Sequence, residues 1–182
     1  MMAKNILITG RPGVGKTTAV KKILSALDLK PGGFYTEEIR AGRERKGFMI
    51  KTFAGKSGTL AHIDNKGGPR VGKYGVDIES FESTVIPELE DAISNRKLVV
   101  IDEIGKMELF SLRFKDLVLQ ALDGPAPILG VIKESGNGFI GNIKQRQDVR
   151  LFKITLVNRE SIISDILKSL DGLLPGVCYK RS

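Results

Sequence analysis

Gly10, Gly15, Lys16 and Thr17 stand in the stretch GRPGVGKTT with the spacing G-x-x-x-x-G-K-[ST]. That pattern binds polyphosphate: the backbone N–H groups of a tight loop turn inward at the open N-terminus of a helix, and glycines let the chain pass close to the phosphates. A lysine at this position reaches the β- and γ-oxygens, and the threonine hydroxyl is offered to Mg²⁺. The expected nucleotide-binding loop is therefore Gly10, Arg11, Pro12, Gly13, Val14, Gly15, Lys16, Thr17 and Thr18.

A second constellation follows the apolar run Leu98, Val99, Val100 and Ile101, which is too short for a helix and suits a strand buried on both faces. Asp102 and Glu103 come directly after it, where an open α/β sheet builds its site beyond the carboxyl ends of its strands. With Thr17, Asp102 is expected to hold Mg²⁺ through water, because this ion keeps much of its hydration shell and takes few protein carboxylates. Glu103 is expected to orient, or take a proton from, a water attacking the γ-phosphorus, which makes Glu103 and Lys16 the candidate catalytic pair. The bland alternative is that Asp-Glu merely opens a solvated turn. Arg113, Arg146, Arg150 and Arg159 are candidates for a transition-state arginine, and spacing cannot choose among them. If none reaches the site unaided, basal hydrolysis is expected to be slow.

These residues need elements to hold them. Lys4 to Thr9 reads as a short buried strand running into the loop, and Val20, Ile23, Leu24 and Leu27 line one face of a helix after it. Residues 33 to 53 read as a β-hairpin turning at AGRER. Residues 55 to 75 are rich in Gly and Lys, with extended pieces near 60–63 and 71–74. A helix is expected from about Ser80 to Asn95, with Pro87 in its first turn or kinking it. Beyond the 98–101 strand, Ser111 and Gly124 would bound a helix carrying Phe114, Leu117, Val118 and Ala121. Strand 127–133, a short helix within 135–148, strand 151–157 and a last helix between Asn158 and Gly172 complete the pattern. The expected fold is α/β, with a mostly parallel central sheet flanked by helices and a β-hairpin insertion after the first helix.

At 182 residues one domain is the default, and no apolar run is long enough to span a bilayer. No membrane association is expected. The N-terminal MMAKNILI enters the loop before a secretion signal could be completed, and Cys178, the single cysteine, suits a reducing compartment. A cytoplasmic location is expected. The net charge of +8 admits a nucleic-acid partner, but the basic residues are interspersed with acidic ones, so nucleic acid is not favoured. His62 has no Cys or His neighbour at metal spacing and reads as structural. Asn65-Lys66-Gly67-Gly68 lacks the aspartate of a guanine-reading motif and is set aside. Phe34, Tyr35, Phe48 and Phe53 could stack a base, though aromatic residues on strands are more often core.

The segments GRPGVGKTT, GGFYTEEIRAGRERKGFMI, RVGKYGVD, VVIDEIGKMELFS, NIKQRQD and LVNRE together resemble the nucleoside-triphosphatase family first described from thermophiles, which includes the human cancer-related nucleoside-triphosphatase. The resemblance covers about residues 5 to 165, and DEIGKMEL is its most specific part. It implies a P-loop NTPase fold of the RecA/ATPase-like kind, hydrolysing ATP, GTP, CTP and UTP with Mg²⁺, modest turnover and little base selectivity. It also extends the expected site to the whole segment Leu98, Val99, Val100, Ile101, Asp102, Glu103, Ile104 and Gly105. Lys106 and Glu108 match family positions near the site, with a surface ion pair as the alternative. Two other readings stay open: a nucleotide or small-molecule kinase, and an ATP-dependent module acting on nucleic acid or protein.

Overall fold

The computed structural model describes residues 3–174; Cys178 lies outside them. Nine strands form one sheet, β1 (Asn5–Thr9), β2 (Gly32–Ala41), β3 (Glu44–Thr52), β4 (Ser57–His62), β5 (Arg70–Val71), β6 (Tyr74–Val76), β7 (Val99–Ile104), β8 (Ile128–Ile132) and β9 (Val149–Lys153). Their spatial order is β5-β6-β4-β3-β2-β7-β8-β1-β9. From β2 to β9 every pairing is parallel, while β3, β4, β6 and β5 continue the sheet as an antiparallel wing. The hairpin expected after the first helix is present as the antiparallel pair β2 and β3. Its first strand, β2, also pairs with β7 from Gly32 opposite Val99 to Phe34 opposite Ile101, and so joins the wing to the parallel sheet.

Helices cover both faces. On one side α1 (Lys16–Ala26) and α5 (Arg159–Asp171) bury Val20, Ile23, Ile162 and Ile166 against Ile6, Ile8 and Val100. On the other, α2 (Ile78–Ser94), α3 (Leu112–Asp123) and α4 (Phe139–Lys144) pack against Leu7, Val99 and Ile101. The alternation within NILIT and within the 98–101 run thus serves two apolar layers at once, which is why both runs are uniformly hydrophobic. Phe34, Phe81 and Phe114 meet edge to face with centroids 5.9, 6.0 and 5.2 Å apart, tying β2 to α2 and α3. Phe34 is therefore core. No helix among the described residues is long and apolar enough to cross a membrane.

Three local expectations shift. The helix α2 starts two residues earlier than Ser80, capped by Asp77, whose Oδ1 accepts the Ser80 N–H at 2.9 Å, and it carries Pro87 in its interior. Burial of Val85, Ile86 and Leu89 around Pro87 offsets the missing backbone hydrogen bond. Strand β9 runs 149–153 rather than 151–157, because its partner β1 ends opposite Lys153 at Thr9 and turns into the loop. Asn158 does precede α5, but its Oδ1 accepts from the N–H and hydroxyl of Thr155, at 2.7 and 3.0 Å, instead of capping the helix. Ser111 caps α3 as expected, accepting the Phe114 N–H at 3.0 Å, and Gly124 follows that helix.

Candidate active site

The loop between β1 and α1 makes its turn with Gly13 at φ +76° and Gly15 at φ +102°, conformations that glycine adopts at little cost. Lys16 is the first residue of α1, and its Nζ spans the loop, donating to the carbonyls of Gly10 at 3.0 Å and Arg11 at 3.1 Å. Pro12, Gly13, Gly15, Lys16, Thr17 and Thr18 form one wall of a cleft of about 680 Å³. Val14 is buried in the α1 layer, and Arg11 faces a second cleft.

Opposite this wall, Asp102 and Glu103 lie within β7 rather than after it, at a register irregularity between Ile101 and Ile104. Asp102 is 2% exposed. Its Oδ2 accepts both the N–H and the hydroxyl of Thr36, at 2.9 and 2.8 Å, whereas its Oδ1 is buried without a partner. An unpartnered buried carboxylate oxygen costs free energy unless something supplies positive charge, and the donor set here, one oriented carboxylate and the Thr17 hydroxyl, fits a hydrated divalent cation shared with phosphates. Among the described residues no cluster of three or more His, Cys, Asp or Glu could enclose a metal by itself. From the segment 98–105, Glu103 is the residue that lines the cleft. Leu98, Val99, Val100, Ile101 and Ile104 are core, and Gly105 lies beneath the Glu103 side chain.

Burial pushes the Glu103 carboxyl above the ordinary carboxylate range; Lys16 and Lys133 oppose the shift and Asp102 reinforces it. Glu108 is 4% exposed, lines the same cleft, and is pushed up to about 8 by burial, with Glu103 and Asp102 adding to it. Neither Glu108 nor Lys106 is in an ion pair among the described residues, so the surface-pair alternative is not what the fold builds.

The four candidate arginines separate clearly. Arg113 faces Glu90 at 3.8 Å, Arg146 is held by Asp123 and Asp148 at 2.6 and 2.8 Å, and Arg150 lies over the Phe152 ring at 5.1 Å. Arg159, first in α5, is the one beside the loop: a Cβ on Gly15 would lie 3.7 Å from its Cδ. It has no hydrogen-bond or ion-pair partner among the described residues. An unpaired cation at a helix N-terminus opposes the helix dipole, which an anion bound nearby would offset.

Several residues of the cleft were not singled out by the sequence: Lys133 at the end of β8, Thr36 on β2, and Arg45, Leu60 and Val71 on the wing all line it, and of the candidate base-stacking aromatics Phe48 lines it too. Arg45 is locked by Glu38 at 2.8 Å and Tyr74 Oη at 2.9 Å, and stacks over Phe48 and Tyr74. A lysine closing a strand run such as PILGVIK was the one hint available for Lys133. Away from the site, His62 Nδ1 accepts the Asp64 N–H at 3.2 Å, and Asn65 Oδ1 caps a turn through the Gly67 N–H at 3.0 Å, local roles of the kind expected.

A phosphate-binding loop at the carboxyl edge of a parallel sheet, with Asp-Glu on the neighbouring strand but one, defines a P-loop nucleotide-binding α/β protein. The comparisons narrow this. A family model described as NTPase matches residues 5–167, and the chain belongs to that family. It is 46% identical over 165 residues to nucleoside-triphosphatase THEP1 of Thermotoga maritima, covering 91% of this chain and 94% of that one. It is 40% identical over 182 residues to the cancer-related nucleoside-triphosphatase of Homo sapiens, covering 91% and 96%. The crystal structure of THEP1 from the hyperthermophile Aquifex aeolicus superposes with a TM-score of 0.84 at 41% identity, over 92% of this chain and 99% of that chain.

Proposed function

We propose that the chain hydrolyses nucleoside 5′-triphosphates to the diphosphate and phosphate, with Mg²⁺ required and residues 1–182 acting as one catalytic unit. The observation that carries this reading is the desolvated Glu103 carboxyl in the same cleft as Lys16 and Thr17. The loop amides and Lys16 hold the β- and γ-phosphates. Bound Mg²⁺, held by Thr17 and, through water, Asp102, would neutralise phosphate charge. Glu103 takes a proton from a water as its oxygen bonds to the γ-phosphorus and the γ-phosphorus to β,γ-bridging-oxygen bond breaks. Lys133, close enough to act electrostatically on Glu103, adds positive charge at that end of the cleft.

Slow basal turnover fits the arginines: Arg45 is engaged by Glu38 and Tyr74, and Arg159 lies beside Gly15 rather than among the residues that line the cleft with Glu103. Low base selectivity fits the second cleft, about 570 Å³, between Arg11–Val14 and Ile154–Leu156. Its Glu134 and Lys153 pair with each other at 3.1 Å, leaving apolar surface that any base can cover. ATP, GTP, CTP and UTP are all expected substrates, and a cytoplasmic setting suits them.

A kinase is the second reading, favoured by one observation: the wing end of the main cleft, with Arg45, Phe48, Leu60 and Val71, extends it over a side a second molecule could enter. A phosphate-release panel over the four NTPs with Mg²⁺, repeated with nucleosides and nucleoside monophosphates, separates the two. Release without an acceptor supports hydrolysis; strict dependence on an acceptor overturns it.

A further inference from the structure

We propose that Arg45 is the arginine that meets the γ-phosphate as it passes to water, and that Glu38 restrains it until that contact is made. Arg45 lines the cleft shared by Lys16, Thr17 and Glu103, whereas Arg113, Arg146, Arg150 and Arg159 do not. Its guanidinium lies over the Phe48 ring at 5.0 Å and the Tyr74 ring at 5.6 Å. Nε donates to Tyr74 Oη at 2.9 Å and Nη1 to Glu38 Oε1 at 2.8 Å, while Nη2 makes no hydrogen bond among the described residues. Two rings and a hydroxyl therefore orient the side chain, and one carboxylate holds the end of its fork.

The register places that carboxylate near the transferring phosphate. Glu38 stands two residues beyond Thr36 on the same face of β2, and Thr36 donates to Asp102 Oδ2. At about 3.4 Å per residue the two positions are roughly 7 Å apart along the strand. A γ-phosphate held between Lys16 and the metal at Asp102 is then a second anion competing for the same guanidinium.

The exchange is favoured from both sides. The side chains of Arg45 and Glu38 are 42% and 38% exposed, and an ion pair so open to water is weak. Phosphate oxygens accept the planar guanidinium fork in a bidentate, charge-assisted contact. Glu38 keeps a cationic partner when Arg45 leaves, because Arg40 Nε donates to its Oε2 at 2.7 Å. In the transfer itself the water oxygen bonds to the γ-phosphorus, its proton passes to Glu103, and the electron pair of the breaking bond goes to the departing diphosphate. Arg45 forms no covalent bond; it donates hydrogen bonds to the γ-oxygens as charge redistributes.

This inference rests on the hydrolase reading, so the parental chain with Mg-ATP and no acceptor is the control. Absence of phosphate release there overturns that reading; with release present, the variants bear on Arg45 alone. Steady-state hydrolysis is measured for Arg45→Ala, Glu38→Gln and the double variant, beside Mg-ADP binding, trapping of Mg-ADP with aluminium fluoride as a mimic of the transferring phosphoryl group, and melting curves. Arg45→Ala is expected to lose at least about tenfold in kcat and to trap the mimic poorly, with Mg-ADP affinity little changed. Glu38→Gln, which frees the fork, is expected to raise kcat by about threefold or more, a gain that the double variant lacks.

A folded Arg45→Ala with parental kcat overturns the proposal, as does a Glu38→Gln no faster than the parental chain. A bracing role for Arg45 in the wing predicts lower melting temperatures in both single variants and acceleration in neither. If Arg45→Ala does not fold, Glu38→Gln decides, because it leaves Arg45 intact: faster turnover supports the proposal, and parental or slower turnover overturns it.

Discussion

Thr36 on β2 donates both its backbone N–H and its hydroxyl to Asp102 Oδ2 on β7, at 2.9 and 2.8 Å. The strand that continues into the wing thus orients the carboxylate proposed to serve the metal, whose Oδ1 has no partner among the described residues. Partners of this kind commonly tune metal affinity by about 10- to 100-fold. Thr36→Val keeps the shape and the N–H but removes the hydroxyl. We expect the Mg²⁺ concentration for half-maximal hydrolysis to rise about tenfold, with little change in melting temperature; a Mg²⁺ titration checks this.

Lys16 and Glu103 should fail differently. Lys16→Ala removes charge from phosphate binding and catalysis together, so nucleotide affinity and kcat both fall. Glu103→Gln keeps size and polarity but cannot take a proton, so binding of Mg-nucleotide persists while kcat drops by at least about a hundredfold. Equilibrium binding of a fluorescent nucleotide beside phosphate-release rates distinguishes the two.

Arg159 lies beside Gly15 with no hydrogen bond or ion pair among the described residues, whereas Arg146 is engaged by Asp123 and Asp148. Arg159→Ala is expected to raise the nucleotide dissociation constant by roughly 5- to 50-fold with kcat altered much less, the mark of binding shared by ground and transition states. Arg146→Ala should lower the melting temperature and leave hydrolysis at the permissive temperature intact. Affinity and melting measurements on both variants provide the check.

The acid limb of the activity should lie higher than an ordinary carboxylate would place it. As the proposed base, Glu103 would work only when ionised, and burial raises its pKa, so turnover is expected to be lost as pH falls through that raised value. Weakening the opposing charge, through Lys133→Gln, should move the limb to still higher pH. A kcat–pH profile of the two proteins tests this.

Glu108 makes a separate statement about stability. Its carboxyl titrates near 8 in the fold against a reference of 4.5, so the folded state binds more protons between those values. The sign follows: the contribution is most favourable below about pH 4.5, declines as pH rises toward 8, and is flat beyond. Glu108→Gln should therefore melt higher than the parental chain at pH 9 and show a smaller advantage, or none, at pH 5. A pH series of melting curves gives the answer, with a few kcal/mol as the upper bound.

Much of this protein was legible one residue at a time. The phosphate loop, the uniformly apolar strands and the caps at Ser111 and Gly124 are local: each depends on neighbours within a few positions, and backbone geometry acts at that range. The place of Pro87 in its helix was left open, and the bounds of β9 were misread, for the complementary reason. Whether a helix survives a proline depends on what its flanking turns bury, and a strand ends where its partner turns away.

The sequence by itself determined that a polyphosphate loop precedes a helix, and that a carboxylate pair follows a buried strand. Only the tertiary structure decided what meets them. Thr36 reaches Asp102 because β2 pairs with β7 across 66 positions of chain, Arg159 is beside the loop while three other arginines are not because α5 packs beside α1, and Glu108 is buried in the same cleft as Glu103. Such contacts are set by sheet order and helix packing, which bring together side chains that share no local pattern.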